Sequence, residues 1–472
     1  EAKLAEKWYG TPYSLTGISS STLRRWTSPR DLPEYAVPAP NSFIPKDFSL
    51  KSSPVRPEDR LEAIAQPPIL AKDTARFRVF FKQDQAFATP KARIRLFLWM
   101  PADTVNEDAV PSRLWLLSLT DRLTERFYDA AYAGLNFDIT NAVEGLSLEF
   151  GGYSDKLLVF VEELVSLICA FDGPTEGEFQ RALDIVRREQ GSFDKQQPYQ
   201  WAAYLARLAT LSPEYTIDFL RLQTASATRE QVQSFGRKFR DPNQHFYGQA
   251  LLHGNLASAE IDRIQALLDR MPFQSLPQKA LTRVRLADLP AGPDSVIVAD
   301  APNPNEANNA LWVLFFTDSS QEAVLTCQLL QSILQDYFFD ELRTRQQLGY
   351  IVVSQADRIG QVGRLGLAIQ SNLKNPDALL DAVDDFLREF RTVVASMSSK
   401  QLSAYKLALV EKVVKVDERL DEEFARWWQE IALFQYGWRR REVEAKLVTS
   451  VTQEALLSFF DRFVAEGSPE RR

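Results

Sequence analysis

The same order of elements is written twice along this chain, and that repetition limits the folds open to it. "AAYAGLNFDITNAVEGLSLEFGGYSDKLLVFVEELVSLI" in the first half parallels "RTRQQLGYIVVSQADRIGQVGRLGLAIQSNLKNPDALLDAVDDFL" in the second. Each reads as helix end, glycine, strand, turn, strand closing on a polar pair, and capped helix. The order of elements repeats better than the residues do. Two copies of roughly 220 residues predict an α+β fold, two duplicated domains with an antiparallel sheet as one layer and helices packed on one side of it. Length agrees, because 472 residues exceed what one hydrophobic core serves.

Local patterns set the boundaries. Nine prolines between Pro29 and Pro68 remove backbone donors and bias their predecessors away from helix, so residues 1–70 read as an extended linker draped over a surface. Within it, "EKWYGTPY" (6–13) is aromatic for a free tail and is expected to dock on another surface. The chain opens on Glu1 rather than methionine, which reads as a processed or excised piece. Residues 71–271 form the first repeat. "RFRVFFKQD" (76–84) and "ARIRLFLWM" (92–100) are strands, Glu107 to Ala133 is one long helical segment, and "FYGQALLHGNL" (246–256) is a buried strand. Ser258 is placed to cap the helix that follows. Residues 272–295 are a connector, and 296–472 form the second repeat. There "ALWVLFFTD" (310–318) is a strand, Ser320 to Arg345 a long helix, and Asn375–Pro376 the cap and first turn of another.

Composition narrows the function classes. A net charge of -8 argues against nucleic-acid binding, which calls for a basic surface. No apolar run approaches the ~20 residues a membrane-spanning helix needs. Cys169 and Cys327 sit in apolar helix-like runs and read as buried thiols. The compartment stays open between cytoplasm and periplasm.

Most catalytic vocabulary is absent. The two histidines, His245 and His253, are eight residues apart, whereas zinc-peptidase helices put two on one face four apart with a glutamate nearby. No such pair can be made here, the sequence gives no support for a site built from distant residues, and His253, ending a buried strand, reads as a hydrogen-bonded structural residue. Phosphate-binding glycine loops and the G-x-S-x-G elbow are missing as well. What remains is "RTRQQLGYIVVS" (343–354), an arginine-rich helix end running through Gly349 into a β-branched strand. Gly349 is expected to end the helix in the left-handed conformation. Spacing alone leaves two readings of Arg343 and Tyr350: a solvated arginine with a tyrosine packed at a strand edge, or a polar pair with a task. The first repeat carries alanines at the matching joint, which hints at a task confined to the second.

"FFDELRTRQQLGYIVVS" resembles the signature of the C-terminal half of the insulysin/pitrilysin group of zinc metallopeptidases, the inverted zincins of peptidase family M16. The resemblance extends in order through "EKWYGTPY", "NSFIPKDF", "KDTARFRVFFKQDQAFATPKA", "GLNFDI", "GGYSDK", "LLHGN" and "LGLAIQS". It implies that residues 71–271 and 296–472 correspond to the third and fourth of four similar domains. It also makes residues 1–70 the end of a preceding domain plus a linker. In such proteins two bowl-shaped halves enclose a chamber for whole peptides, and the N-terminal half carries an H-x-x-E-H zinc site. The resemblance therefore implies no cofactor in this chain, zinc in an N-terminal half or partner subunit, peptide substrates, and no catalysis by the chain alone. It assigns Tyr350 to hydrogen-bond the scissile carbonyl oxygen, Arg343 to hold the substrate backbone, and Phe339 to line the pocket past the cleaved bond.

Two departures stand out. "VEKVVKVDERLDEEF" (410–424) offsets bases with acids where some insulysins bind polyanions, which speaks against activation by ATP-like anions. The chain also stops at "GSPERR", where the family adds a final strand, so the second sheet is expected to lack a member or leave an edge open. The rival function is a non-proteolytic structural or interaction subunit with this fold, and a homo-oligomer stays open in either case.

Overall fold

The computed structural model describes residues 4–28, 39–101, 105–289 and 295–471. Pro29, Pro33 and Pro38 of the proline run, and 290–294 of the expected connector, lie outside them. The chain divides into two compact units, 1–42 and 43–472.

In the first unit, Leu4–Ala5 and Pro12–Tyr13 pair as a short antiparallel hairpin turning at Gly10, whose φ is +65°. The Glu6 carboxylate accepts the Tyr9 and Trp8 backbone N–H groups, each at 2.8 Å, and these bonds hold its pKa below the usual carboxylate value. The hairpin presents Trp8 and Tyr9 to solvent, 79% and 91% exposed, instead of folding them into its own unit. A helix, Ser20–Thr27, follows where the sequence suggested only extended chain, because Ser19 caps it by accepting from Thr22 N–H.

The second unit holds both repeats. The main path of its first sheet runs through β1 (Ile69–Asp73), β2 (Phe77–Gln83), β3 (Lys91–Trp99), β4 (Asn136–Ala142), β5 (Gly145–Tyr153) and β6 (His245–Gly254), in the order β1-β2-β6-β3-β5-β4, with the two-residue strand Gln274–Ser275 paired parallel to the start of β6. Pairings along this path are antiparallel except β2 with β6, which run parallel. The long helical stretch between them supplies the crossover that a parallel pair requires. Alternation along β3 is strict: Ala92, Ile94, Leu96 and Leu98 are buried toward the helices, while Arg93, Arg95 and Phe97 face the other way. Helices α1 (Val105–Arg126) and α2 (Ser154–Ala170) share that core with Phe77, Phe150 and Phe246. The expected helix through Ala133 breaks at Phe127 and resumes as a short turn, Tyr128–Tyr132. Ser258 stands at the start of its helix but is itself helical and accepts no capping bond. The stretch after Ser42 is draped as expected: the Lys46 N–H donates to Asp155 at 2.8 Å and the Lys51 N–H to Asn255 at 2.7 Å. A further helix, Arg60–Ala65, interrupts that extended run.

Continuing along the chain, α3 (Pro198–Thr210) belongs to the first repeat but rests on the second sheet, where Tyr199 N–H donates to the Gln370 side chain at 3.1 Å. That sheet has β7 (Asn309–Phe316), β8 (Ile351–Ile359) and β9 (Val362–Ser371) in the order β7-β9-β8. Behind it lie α4 (Gln321–Phe339) and α5 (Pro376–Ser396). Asn375 caps α5, accepting from Ala378 N–H at 2.9 Å, and Pro376 takes the first turn, as the sequence predicts. Among the described residues no helix is long and apolar enough to cross a membrane.

The repeats are joined by α6 (Leu420–Ala432), which covers the face of the first sheet opposite its helices. Phe424, Trp427, Trp428 and Ile431 pack there on Phe80 and Leu251. At the centre Glu423, 1% exposed, takes the Lys82 ammonium, the His253 Nε2 at 3.1 Å and the Trp427 indole N–H at 3.1 Å. Lys82 also donates to the carbonyls of Ala63 (2.9 Å), Ile64 (3.2 Å) and Gln66 (2.5 Å). Burial raises the Glu423 pKa, but the His253 hydrogen bond and the Lys82 charge outweigh it and hold the carboxyl below its usual value. Burial pulls Lys82 the other way, below the usual lysine value. With four oxygen acceptors around Lys82, the pair is charged. His253 is thus the structural residue the sequence indicated. The thiols of Cys169 (half-buried) and Cys327 (buried) are pushed up to about 11 and about 12 by burial, as inert packing groups are.

Removing Glu423 strands a buried ammonium, so Glu423→Ala is expected to lower unfolding free energy by about 3 to 5 kcal/mol. Because the folded carboxyl is depressed, its contribution is complete above the unfolded value of about 4.3 and disappears as pH falls through the folded value. Urea denaturation from pH 7 downward should show that acid loss in the parent chain and a flatter profile in Glu423→Gln.

Candidate functional site

The joint between α4 and β8 is where the second repeat departs from ordinary helix termination. After Phe339 the backbone widens into a π-helical turn, Asp340–Arg345, instead of continuing as the α-helix expected through Arg345. Gln346 N–H reaches the Glu341 carbonyl at 2.9 Å and Leu348 N–H the Leu342 carbonyl at 2.9 Å. Leu342 and Leu348 are buried and anchor both ends of the turn in the helix-sheet core. Residues 344–347, between them, are exposed.

Gly349 is not the left-handed residue. That conformation falls on Gln347, with φ +51°. Glycine is required at 349 for space: a Cβ there would stand 1.8 Å from the Gln370 carbonyl oxygen of β9. The sequence correctly marks the glycine as special but misplaces the reason. No residue type in "RQQLGY" signals that a glutamine takes the strained position.

The turn brings the three candidate residues together. Arg343 lies over the Phe339 ring, 5.0 Å from its centroid, and over the Tyr350 ring at 4.5 Å. Its guanidinium also donates to the Tyr350 backbone carbonyl. Tyr350 is 79% exposed and Phe339 45%, so neither ring is spent on the domain's own packing. Phe338, the neighbour of Phe339, is buried in the core and fixes the helix face. Arg345 pairs with Asp340 at 3.2 Å and Glu341 at 3.3 Å, which leaves Arg343 as the cation presented with the rings. The arrangement offers a phenol hydroxyl, a guanidinium and an apolar ring on one exposed turn. Such a group can donate hydrogen bonds to carbonyl oxygens and cover an apolar side chain.

Among the described residues no group of three or more His, Cys, Asp or Glu side chains is arranged to hold an ion. His245 is turned to the Ser275 carbonyl at 2.9 Å and His253 to Glu423. In the 410–424 run, two of the three bases, Lys415 and Arg419, are matched by Glu418 at 3.9 Å and Glu422 at 3.0 Å.

Comparison with known proteins gives the chain's relatives. Residues 1–220 match the family described as the middle or third domain of peptidase M16, and residues 329–428 match that of the PQQ synthase PqqF-like C-terminal lobe, domain 4. The insulin-degrading enzymes of Bos taurus and Homo sapiens are each 28% identical over 474 residues, covering 99% of this chain and 45% of theirs. The chain therefore spans about half the length of the curated relatives it matches. Among solved structures, pitrilysin superposes with a TM-score of 0.79 at 20% identity, over 98% of this chain and 48% of that one. An M16 inactive domain from Pseudomonas fluorescens gives 0.58 at 13% identity, over 85% and 96%.

Gly349→Ala would drive a methyl group into the β9 backbone, and the expected loss is about 3 kcal/mol of stability, as for overpacking without room to relax. Gln347→Gly relieves the left-handed strain and should leave stability equal or slightly raised. Thermal unfolding of both variants checks the pair.

Proposed function

This chain belongs to the peptidase M16 family, as a counterpart of the C-terminal half of its insulysin and pitrilysin members, and from that premise we propose that it is the substrate-holding half of a zinc metalloendopeptidase. In this reading residues 71–271 act as the third domain, 272–295 as a connector and 296–472 as the fourth. Zinc would reside in an N-terminal half or partner subunit, a reading supported by this chain's likeness to the C-terminal half of its relatives. The exposed hairpin bearing Trp8 and Tyr9 is a fitting surface for that other half to cover.

The single observation that carries the reading is the Phe339–Arg343–Tyr350 cluster, its members in mutual contact yet left open. A hydroxyl on a ring steadied by a guanidinium is a preorganised donor for an oxygen on which negative charge grows during attack on a peptide bond. Arg343 would orient the substrate backbone with its planar fork of donors. Phe339 would cover the side chain beyond the cleaved bond. A non-proteolytic interaction subunit is the rival, and it has no use for an exposed phenol stacked on an arginine.

The test pairs this chain with a zinc-bearing M16 half and follows cleavage of unfolded peptides of a few tens of residues. Tyr350→Phe should lower kcat by about 10²- to 10³-fold with KM nearly unchanged, the signature of a contact made in the transition state. Unaltered turnover would remove the oxyanion role. Arg343→Lys, which keeps charge but loses the fork, should raise KM as well.

A further inference from the structure

The first turn of a helix leaves backbone N–H groups with no partner inside the helix. α3 meets part of that demand from outside its own repeat. Pro198 has no N–H to satisfy, and the Gln200 and Trp201 N–H groups reach the Gln197 carbonyl at 2.9 and 3.1 Å. The Tyr199 N–H is taken by a side chain of the second repeat, Gln370 Oε1 at 3.1 Å. Gln370 Nε2 donates in turn to Gln197 Oε1 at 3.1 Å. One amide thus spends both its acceptor and a donor on the start of α3, and the two bonds together fix which way it faces.

The backbone of the same residue touches the candidate site. Leu365, Leu367 and Ile369 of β9 turn into the helix-sheet core, so alternation points the Gln370 side chain out of the opposite face, toward α3. Its main chain is the register partner of Ile351 in β8, and its carbonyl oxygen stands where a side chain at 349 would go. Gly349 and Ile351 flank Tyr350. The start of α3 and the joint that carries the phenol therefore meet on a single residue. Packing this close passes a displacement on rather than absorbing it.

We propose that Gln370 is a positioning residue: its side-chain amide carries the placement of the first repeat, through α3, to the Gly349–Tyr350 joint, and so sets the Tyr350 ring against Arg343. A phenol that stabilises developing charge must be held within about 0.5 Å of its working place, so on the peptidase reading this coupling has a consequence for turnover. The coupling itself does not need that reading. An apolar side chain of similar size could not replace the amide, because Tyr199 N–H would lose its acceptor.

The test places 3-fluorotyrosine at position 350 of the full chain and follows its fluorine resonance, which senses the Arg343 guanidinium 4.5 Å from the ring centroid. Gln370→Leu keeps the β9 backbone and removes both amide bonds, and the resonance should move or broaden. Gln370→Glu keeps an acceptor for Tyr199 N–H, lets the Gln197 amide turn to donate, and should restore most of the parent signal. Paired with a zinc-bearing M16 half, Gln370→Leu should lower kcat at least ~10-fold with KM nearly unchanged. Gln197→Ala, at an exposed position, loses one of the two bonds and should shift the resonance the same way by less; it decides the question should Gln370→Leu not fold. The proposal is overturned if the resonance stays at its parent position in the deciding variant or if Gln370→Glu departs as far as Gln370→Leu. It is overturned as well if Gln370→Leu keeps its kcat while Tyr350→Phe loses it. A fluorine shift in Gln370→Leu beside unaltered turnover in Tyr350→Phe would keep the coupling and remove the oxyanion role, so the two failures are distinct.

Discussion

One buried carboxylate decides how the two repeats are joined. Glu423 reaches from α6 to the back of the first sheet, where Lys82, His253 and Trp427 converge on it. Apolar packing of Phe424, Trp427, Trp428 and Ile431 supplies the attraction, but a flat apolar face can slide. An ion pair with directional partners cannot move without leaving charges unpaired in the interior. A strained loop extends the same contact. Phe434 and Tyr436 both have positive φ, +55° and +50°, a rare state for aromatic residues. They spend that strain placing Phe434 on Trp99 and Tyr436 on Phe80, with ring centroids 5.4 and 5.7 Å apart. Repeat two is thereby set in one orientation on repeat one, and the Tyr350 cluster inherits that orientation.

How much of this is legible in the sequence depends on whether the signal is local. Strand periods and the Asn375–Pro376 cap could be read, because each is set by residues within a turn of one another. Parallel pairing of β2 with β6 could not, since nothing within either strand specifies a neighbour so far along the chain. β6 does carry a trace of it: nearly every residue is buried, and a strand covered on both faces reads as a continuous apolar run. His253 was identifiable as structural, yet its partner on α6 lies 170 residues away, beyond any spacing rule.

The candidate site shows the same division. Arg343, Tyr350 and Phe339 stand out through resemblance, and the structure brings them into one stack. The π-helical turn that makes the stack was not legible. Seven residues on a regular helix would already place Arg343 and position 350 on one face, but the helix ends before Tyr350. A wider turn is needed to bring the guanidinium back over the tyrosine ring.

The duplication makes clear what that turn adds. Counting back three residues from Phe137 in the first repeat and from Tyr350 in the second reaches Gly134 and Gln347, and both are left-handed, at φ +79° and +51°. The first repeat ends its helix in the ordinary manner, with Gly134 N–H on the Ala131 carbonyl and Leu135 N–H on that of Ala130, each at 3.0 Å. In the second, the corresponding Leu348 N–H spans one residue more, to Leu342. A left-handed glutamine and a widened turn are both less stable than the glycine ending available to the same fold. Such strain persists where surrounding structure holds it, here the buried pair Leu342 and Leu348. The extra residue of the turn is also what puts Arg343 against Tyr350, so the second repeat trades a relaxed helix end for a fixed, exposed pair of donors.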